Sequence, residues 1–423
     1  MSREPEAIVP FNFTTKTPKV LAWCDSPTVT TGFARVAKNV LTHWHHLGIV
    51  AECWGIHFDG WFYDQVPFRM LPGGSGDWNS PRRLTQFLNV LDQGDYTHVW
   101  MLNDPDALSG HGFPAKLREV CAKRNVRTML YFPVDAPLER EWLGMVEAVT
   151  VPVTFTQYGR AQTQSALGRS LFPIGVVPHG VDEVFKPLGV EDRKLARQIE
   201  LQVQSGKAEI GKPIQFVEPD DLLLLNVNKN EWRKDPLRSL EILAGLRALG
   251  VPAKLILRMD PTSAMGGVQL DLAAKQLGLT YGKEWCHIGP VPDEGLLALY
   301  NAADLYLTTS LGEGWGLGVT EAMACHCPVA MAKHTSLEEI GKADAGGPIW
   351  LPMEPGAVCG ADTRIRHRVD LEGAVQAIHH AWEQGQCGNG VRCHPALGHL
   401  KRWDWVAEEL LKLMGILPTK AES

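Results

Sequence analysis

Two glutamates, Glu313 and Glu321, stand eight positions apart in the stretch LGEGWGLGVTEAMACHCPVAMAKHTSLEEI, residues 311–340, with Gly314, Gly316 and Gly318 between them. An ionised carboxylate accepts two hydrogen bonds at a fixed spacing, which suits a vicinal diol on a ribose or another sugar. The glycines allow close backbone approach to a ligand and leave N–H groups free near a helix start, where phosphate is favoured. Taken alone, the pair also fits a plainer arrangement, with Glu321 complementing a helix dipole and Glu313 solvated. A second charged group, Lys229, Arg233 and Lys234 in NVNKNEWRKD, supplies cations that could stabilise charge on a leaving phosphate without a metal. Asp104 and Asp106 in NDPD have Asp-x-Asp spacing but lie far from these motifs in sequence.

The elements that must position these groups alternate. KVLAWCD (19–25) reads as a strand, SPTVTTG as a turn, and FARVAKNVLTHWHHLG (33–48) as a helix with apolar residues at helical spacing. Strands at 50–56, 97–102 and 127–135 continue the pattern, with a helix at 114–125. The polar segment 188–221 breaks the rhythm and reads as a linker with a solvated helix, after which the alternation restarts at LLLLNV (222–227). Glu313 follows the strand LYLTTS (305–310), and Glu321 falls in the first turns of the next helix. Such alternation predicts parallel sheets covered on both faces, with ligands at the carboxyl ends of the strands and a cleft between two domains.

Length agrees, because 423 residues exceed the ~250–300 that one core usually supports. A net charge of −7 with 45% hydrophobic residues announces neither a nucleic-acid nor a membrane surface. No apolar run approaches the ~18 residues of a membrane span, and MSREPEAIVPFNF has no secretory-signal layout, so a cytoplasmic location is expected. The nine cysteines are scattered and odd in number, which predicts reduced thiols; neither Cys325/Cys327 nor Cys387, Cys393 and His394 has the paired spacing of a structural zinc site.

NAADLYLTTSLGEGWGLGVTEAMACHCPVA, together with VVPHGVDEVFKP, LLNVNKNEWRKD and HIGPV in the same order, resembles the signature of family 4 glycosyltransferases. The resemblance implies an α/β fold of two Rossmann-like domains facing across a cleft (GT-B). It also implies a retaining, metal-independent transfer from a UDP- or GDP-linked sugar, the co-substrate, with no cofactor. Residues 1–17 would be a tail, 18–187 the acceptor-side domain joined by a helix at 400–416, and 188–399 the donor domain. By the same resemblance Glu321 binds the ribose, Glu313 meets the transferred sugar, and the backbone of Gly314, Trp315, Gly316 and Leu317 runs along sugar and phosphate. Lys229 and Lys234, with Arg233, neutralise the diphosphate; Lys229 departs from the family's Arg and loses its fork.

In the first domain Gly32 lets the loop approach the donor or acceptor, with Thr31 and Arg35 nearby. Asp135 stands where many members carry a histidine, as a sugar ligand, a group polarising the acceptor hydroxyl, or a turn residue. His179 shapes the interdomain link, and His326 replaces a glycine, either narrowing the donor pocket or lying outside it. TGFARVAKN, YFPVD and NVNKNEWRKD resemble a bacteriophage and environmental branch, some of whose members glycosylate hydroxymethylated bases in DNA. For that duplex acceptor the cations would be Arg82, Arg83, Lys116, Arg118, Lys123, Arg124 and Arg127. A glycan, lipid or small-molecule hydroxyl is the alternative acceptor, and an epimerase or a catalytically silent sugar-nucleotide binder the alternative function.

Overall fold

The alternation produces two parallel sheets. The computed structural model describes residues 17–61, 64–198, 200–201, 214–261, 266–342, 347–360, 362–393 and 400–418. The first sheet comprises β1 (Lys19–Asp25), β2 (Val50–Ile56), β3 (Arg69–Pro72), β4 (His98–Leu102), β5 (Arg127–Phe132), β6 (Val151–Thr154) and β7 (Gly175–Val176), in the order β3-β2-β1-β4-β5-β6-β7. Short strands β8 (Gly180–Val181), β9 (Glu200–Leu201) and β10 (Ile214–Gln215) follow. The second sheet comprises β11 (Leu222–Val227), β12 (Ala253–Arg258), β13 (Trp285–Ile288), β14 (Leu305–Leu307), β15 (Val329–Ala332) and β16 (Ile349–Leu351), in the order β13-β12-β11-β14-β15-β16. Every pairing in both sheets is parallel.

Continuous apolar strands are what a sheet covered on both faces requires. In β1, Val20, Ala22 and Cys24 enter one core layer while Leu21 and Trp23 enter the other. In β11, Leu223 and Leu225 face one layer and Leu222 and Leu224 the opposite one. Each strand order reverses once, between β1 and β4 and between β11 and β14. The loops after those strands diverge to opposite faces and leave a crevice at the strands' carboxyl ends.

The helix Trp403–Met414 returns to the first sheet and lies on the helix Gly32–His46, with Trp44 Nε1 donating to the Ala407 carbonyl at 2.9 Å. Its Val406, Leu410, Leu411 and Met414 are buried there, each contributing about 1.5–3 kcal/mol. Beside it β19 (Lys401–Arg402) pairs with β8.

Three features differ from the sequence reading. The segment read as a linker with a solvated helix has that helix, Val190–Ala196, but also the paired β9 and β10, and Arg197 reaches Asp304 at 2.7 Å, so it is tied to the second sheet. The helix Pro81–Gln93, capped by Ser80, was not marked by its pattern. Nor was the antiparallel pair β17 (Met353–Cys359) and β18 (Ile365–Val369). None of the described helices is long and apolar enough to cross a membrane. Residues 1–16 of the expected tail, and His394, lie outside the described residues.

Candidate active site in the interdomain cleft

Both switch points open into one cleft of ≈ 830 Å³, lined by Gly32, Asp135, Lys229, Arg233, Lys234, Glu313, Gly314, Trp315, Gly316, Leu317 and Glu321. The structure therefore brings together every residue singled out for the site.

On the second-domain side, Lys234 and Glu313 come from the loops after β11 and β14. Lys234 Nζ donates to both Glu313 carboxylate oxygens at 2.6 and 2.7 Å, and Ser310 Oγ adds a bond of 2.7 Å. Burial alone would raise the Glu313 pKa, but Lys234 and Arg233 overcome it and hold the group ionised below the usual range. Gly316 takes φ 103°, open to glycine but not to a residue with a Cβ, and starts the helix Leu317–Ala324 that carries Glu321. Gly318 is as constrained, since a Cβ there would lie 2.4 Å from Tyr306 Oη. Glu321 accepts from Tyr300 Oη at 2.7 Å, and burial pushes its pKa up to about 7 despite the Arg35 charge.

The first domain meets this side closely. A Cβ on Gly312 would lie 2.0 Å from the Asp135 carbonyl oxygen, and one on Gly314 2.4 Å from Pro133 Cβ. A Cβ on Gly32 would lie 3.6 Å from Leu317 Cδ1, in ordinary contact. Thr31 caps its helix by accepting from the Ala34 amide and donates to Asp25, which fixes the loop. Arg35, on that helix, crosses the cleft: Nη1 lies 2.9 Å from Asp182 and 3.6 Å from Glu321, and Nη2 bonds Asp293.

Asp135 is held by Arg366 at 3.0 Å and Arg233 at 3.3 Å. Burial works against its charge, but the arginines lower its pKa, so it holds protons weakly. Its geometry is that of a cross-domain tie, which makes it a poor base. Sequence reasoning missed Arg258, at the end of β12, whose Nε is buried without a partner, and Arg364, brought to the cleft by the β17–β18 pair. Neither lies in a motif; the only trace of Arg258 was a charge closing an apolar strand.

Residues 210–349 match the family Glycosyl transferases group 1. Over 106 residues the chain is 36% identical to O-antigen chain mannosyltransferase B from Escherichia coli, covering 23% of this chain and 26% of that protein. The chain thus spans about a quarter of that relative's length, and less than half of other curated relatives it matches. The fold aligns with sucrose-phosphate synthase from Thermosynechococcus elongatus at a TM-score of 0.69 and 14% identity, over 94% of this chain and 98% of that one. It aligns with Anabaena HepE, solved with UDP-glucose, at 0.65 and 16%, over 94% and 100%. The architecture is GT-B, two Rossmann-like domains.

Within the matched segment, His326 has φ 59° just past the end of the helix Leu317–Ala324, a conformation that suits the glycine expected there. It is not among the residues lining the cleft. His179 is buried beside Phe155, Trp315 and Trp403, bonded to Tyr131 Oη at 2.8 Å, with burial lowering its pKa to about 3. Cys325 and Cys327 are buried free thiols. Of the cations considered for a DNA surface, Arg83 pairs with Asp77 and Lys123 with Asp92, while Arg118, Arg124 and Arg127 donate to main-chain carbonyls. Those contacts leave them less available to phosphate.

Proposed function

We propose that the protein is a retaining glycosyltransferase that moves a sugar from a UDP- or GDP-linked donor to a hydroxyl, without metal. The observation that carries this reading is the convergence of Glu313, Lys234, Arg233 and Glu321 on one cleft at the switch point of the second sheet. In this reading the ribose hydroxyls donate to Glu321, and the diphosphate lies between the glycine turn and Lys229, Arg233 and Lys234. Glu313 accepts from hydroxyls of the transferred sugar. The acceptor oxygen bonds the anomeric carbon on the face from which the phosphate oxygen leaves, and the acceptor's proton passes to that oxygen. Cations and N–H dipoles already in place stabilise the charge developing on the leaving diphosphate. The contacts of five of the seven surface cations favour a glycan, lipid-linked or small-molecule hydroxyl over duplex DNA, with Arg82 and Lys116 exposed and unpaired among the described residues.

The test is mass spectrometry of purified protein with UDP-glucose or GDP-mannose. The substrates are free sugars, lipid-linked sugars and duplex DNA containing 5-hydroxymethylcytosine, with Glu321→Ala as control. A hexose added to one class with retained anomeric configuration, and lost in the variant, is the expected result. Interconversion of the donor would support an epimerase instead, and donor binding without turnover a silent binder.

A further inference from the structure

At the end of the cleft remote from Glu321, charged groups of both domains are matched almost completely. Arg364 lies 2.9 Å from Asp106, and Arg366 lies 3.0 Å from Asp135 and 2.8 Å from Asp362. Arg233 joins this group to the donor side, 3.3 Å from Asp135 and 3.7 Å from Glu313. Among the carboxylates of this group the exception is Asp104. Its carboxylate lines the cleft after β4, at the switch point of the first sheet, and has no hydrogen-bond or ion-pair partner among the described residues.

The local backbone does not need that carboxylate. The Asp104 amide donates to Asn103 Oδ1 at 2.9 Å, and its carbonyl accepts from the Ala107 amide at 3.2 Å, so the turn is closed without the side chain. Asp104 is part-exposed to the cleft, so its carboxylate is met by water until a ligand hydroxyl takes that water's place. Burial and the neighbouring Asp135 and Asp106 raise its pKa to about 7, against the Arg364 and Arg233 charges.

We infer that Asp104 binds the acceptor, accepting a hydrogen bond from a hydroxyl of an uncharged polyol such as an unphosphorylated sugar or cyclitol. The inference rests on the glycosyltransferase reading above. The uncharged class follows from the balance of charge: three guanidinium groups face four carboxylates here, and each guanidinium is already engaged. A phosphate on the acceptor would have to compete with these carboxylates for the guanidinium groups. Asp104 orients the acceptor; the transferred proton still leaves with the diphosphate oxygen as the new glycosidic bond forms.

The experiment measures transfer from UDP-glucose and GDP-mannose to methyl α-glucoside, methyl α-mannoside and myo-inositol. Glucose 6-phosphate, mannose 6-phosphate and DNA containing 5-hydroxymethylcytosine run alongside. The wild type should favour an uncharged probe by about tenfold or more in kcat/KM. Asp104→Asn should raise that acceptor's KM by about tenfold, leave the calorimetric donor Kd within about twofold, and narrow the preference over the phosphorylated probe. Asp104→Glu should recover part of the affinity, and the donor Kd reports that both variants are folded. Preference for a phosphorylated probe or DNA, transfer to none of the probes, or an equal loss of donor and acceptor affinity in Asp104→Asn overturns the inference alone. A wild type that binds neither donor overturns the glycosyltransferase reading as well.

Discussion

The two walls of the cleft are built differently. The second-domain wall satisfies itself: Lys234, Glu313 and Ser310 close on one another, and Tyr300 supports Glu321. The first-domain wall is completed by its neighbour, with Arg35 reaching Asp293 and Glu321, Asp135 held by Arg233 and Arg366, and Asp106 held by Arg364. A self-contained wall can hold a ligand before the domains meet. A wall that depends on the other domain acquires its geometry only in the closed form. Donor recognition and acceptor positioning are thereby separable, and mutations on the two sides should have different signatures.

The largest effect should come from the self-contained wall. Glu313→Gln leaves Lys234 without its counter-charge and removes a carboxylate facing the sugar; kcat for transfer should fall by about 10²–10³-fold. Gly312→Ala attacks the contact between the walls. Its Cβ would lie 2.0 Å from the Asp135 carbonyl oxygen, so the domains must part. Turnover should fall by about a hundredfold while calorimetry finds the donor Kd nearly unchanged. If Gly312→Ala lost donor binding together with turnover, the distinction between the walls would fail.

The same contrast explains what the sequence disclosed. The strands β1, β11 and β14 were legible because buried parallel strands are runs of apolar residues, and Glu313, Glu321 and Lys234 because they sit in short local motifs beside those strands. The strand at 127–135 ended earlier than its composition suggested, at Phe132, because Pro133 cannot donate to a ladder. Arg364 and Arg366 stayed hidden, and Asp104 was noted only for its spacing to Asp106, not for its place in the cleft. Their arrangement depends on β17 and β18 bringing residues 362–366 against residues 104–135, a contact with no local period. Arg35 lay in a helix whose pattern was read, but its partners Asp182 and Asp293 lie 147 and 258 positions away.

Acid should weaken the donor end. Burial places Glu321 at about 7, with Asp182 and Asp293 adding to the shift and Arg35 and Tyr300 opposing it. Only the ionised carboxylate accepts from both ribose hydroxyls, so donor affinity should be complete above that value. It should decline by about tenfold per pH unit below it. Calorimetric titration of UDP-glucose and GDP-mannose from pH 5.5 to 8.5 measures this slope, and Glu321→Gln should make it flat. A persistent slope in the variant would assign the titration to another group, with Asp104, also at about 7, the first to examine.

The smallest effect tests the comparison within one wall. Lys229 and Lys234 carry the same charge on the same loop, yet Lys229 is half exposed and 3.8 Å from Glu231, whereas Lys234 is enclosed with Glu313. Water and salt screen the first cation and hardly reach the second. Lys229→Ala should therefore cost about threefold in donor affinity at low ionic strength, an effect that shrinks toward nothing near 1 M salt. Lys234→Ala should cost far more and keep its deficit in salt. Equal losses in the two variants, both persisting in salt, would mean that the donor draws Lys229 into the cleft; the second-domain wall would then be completed by its ligand.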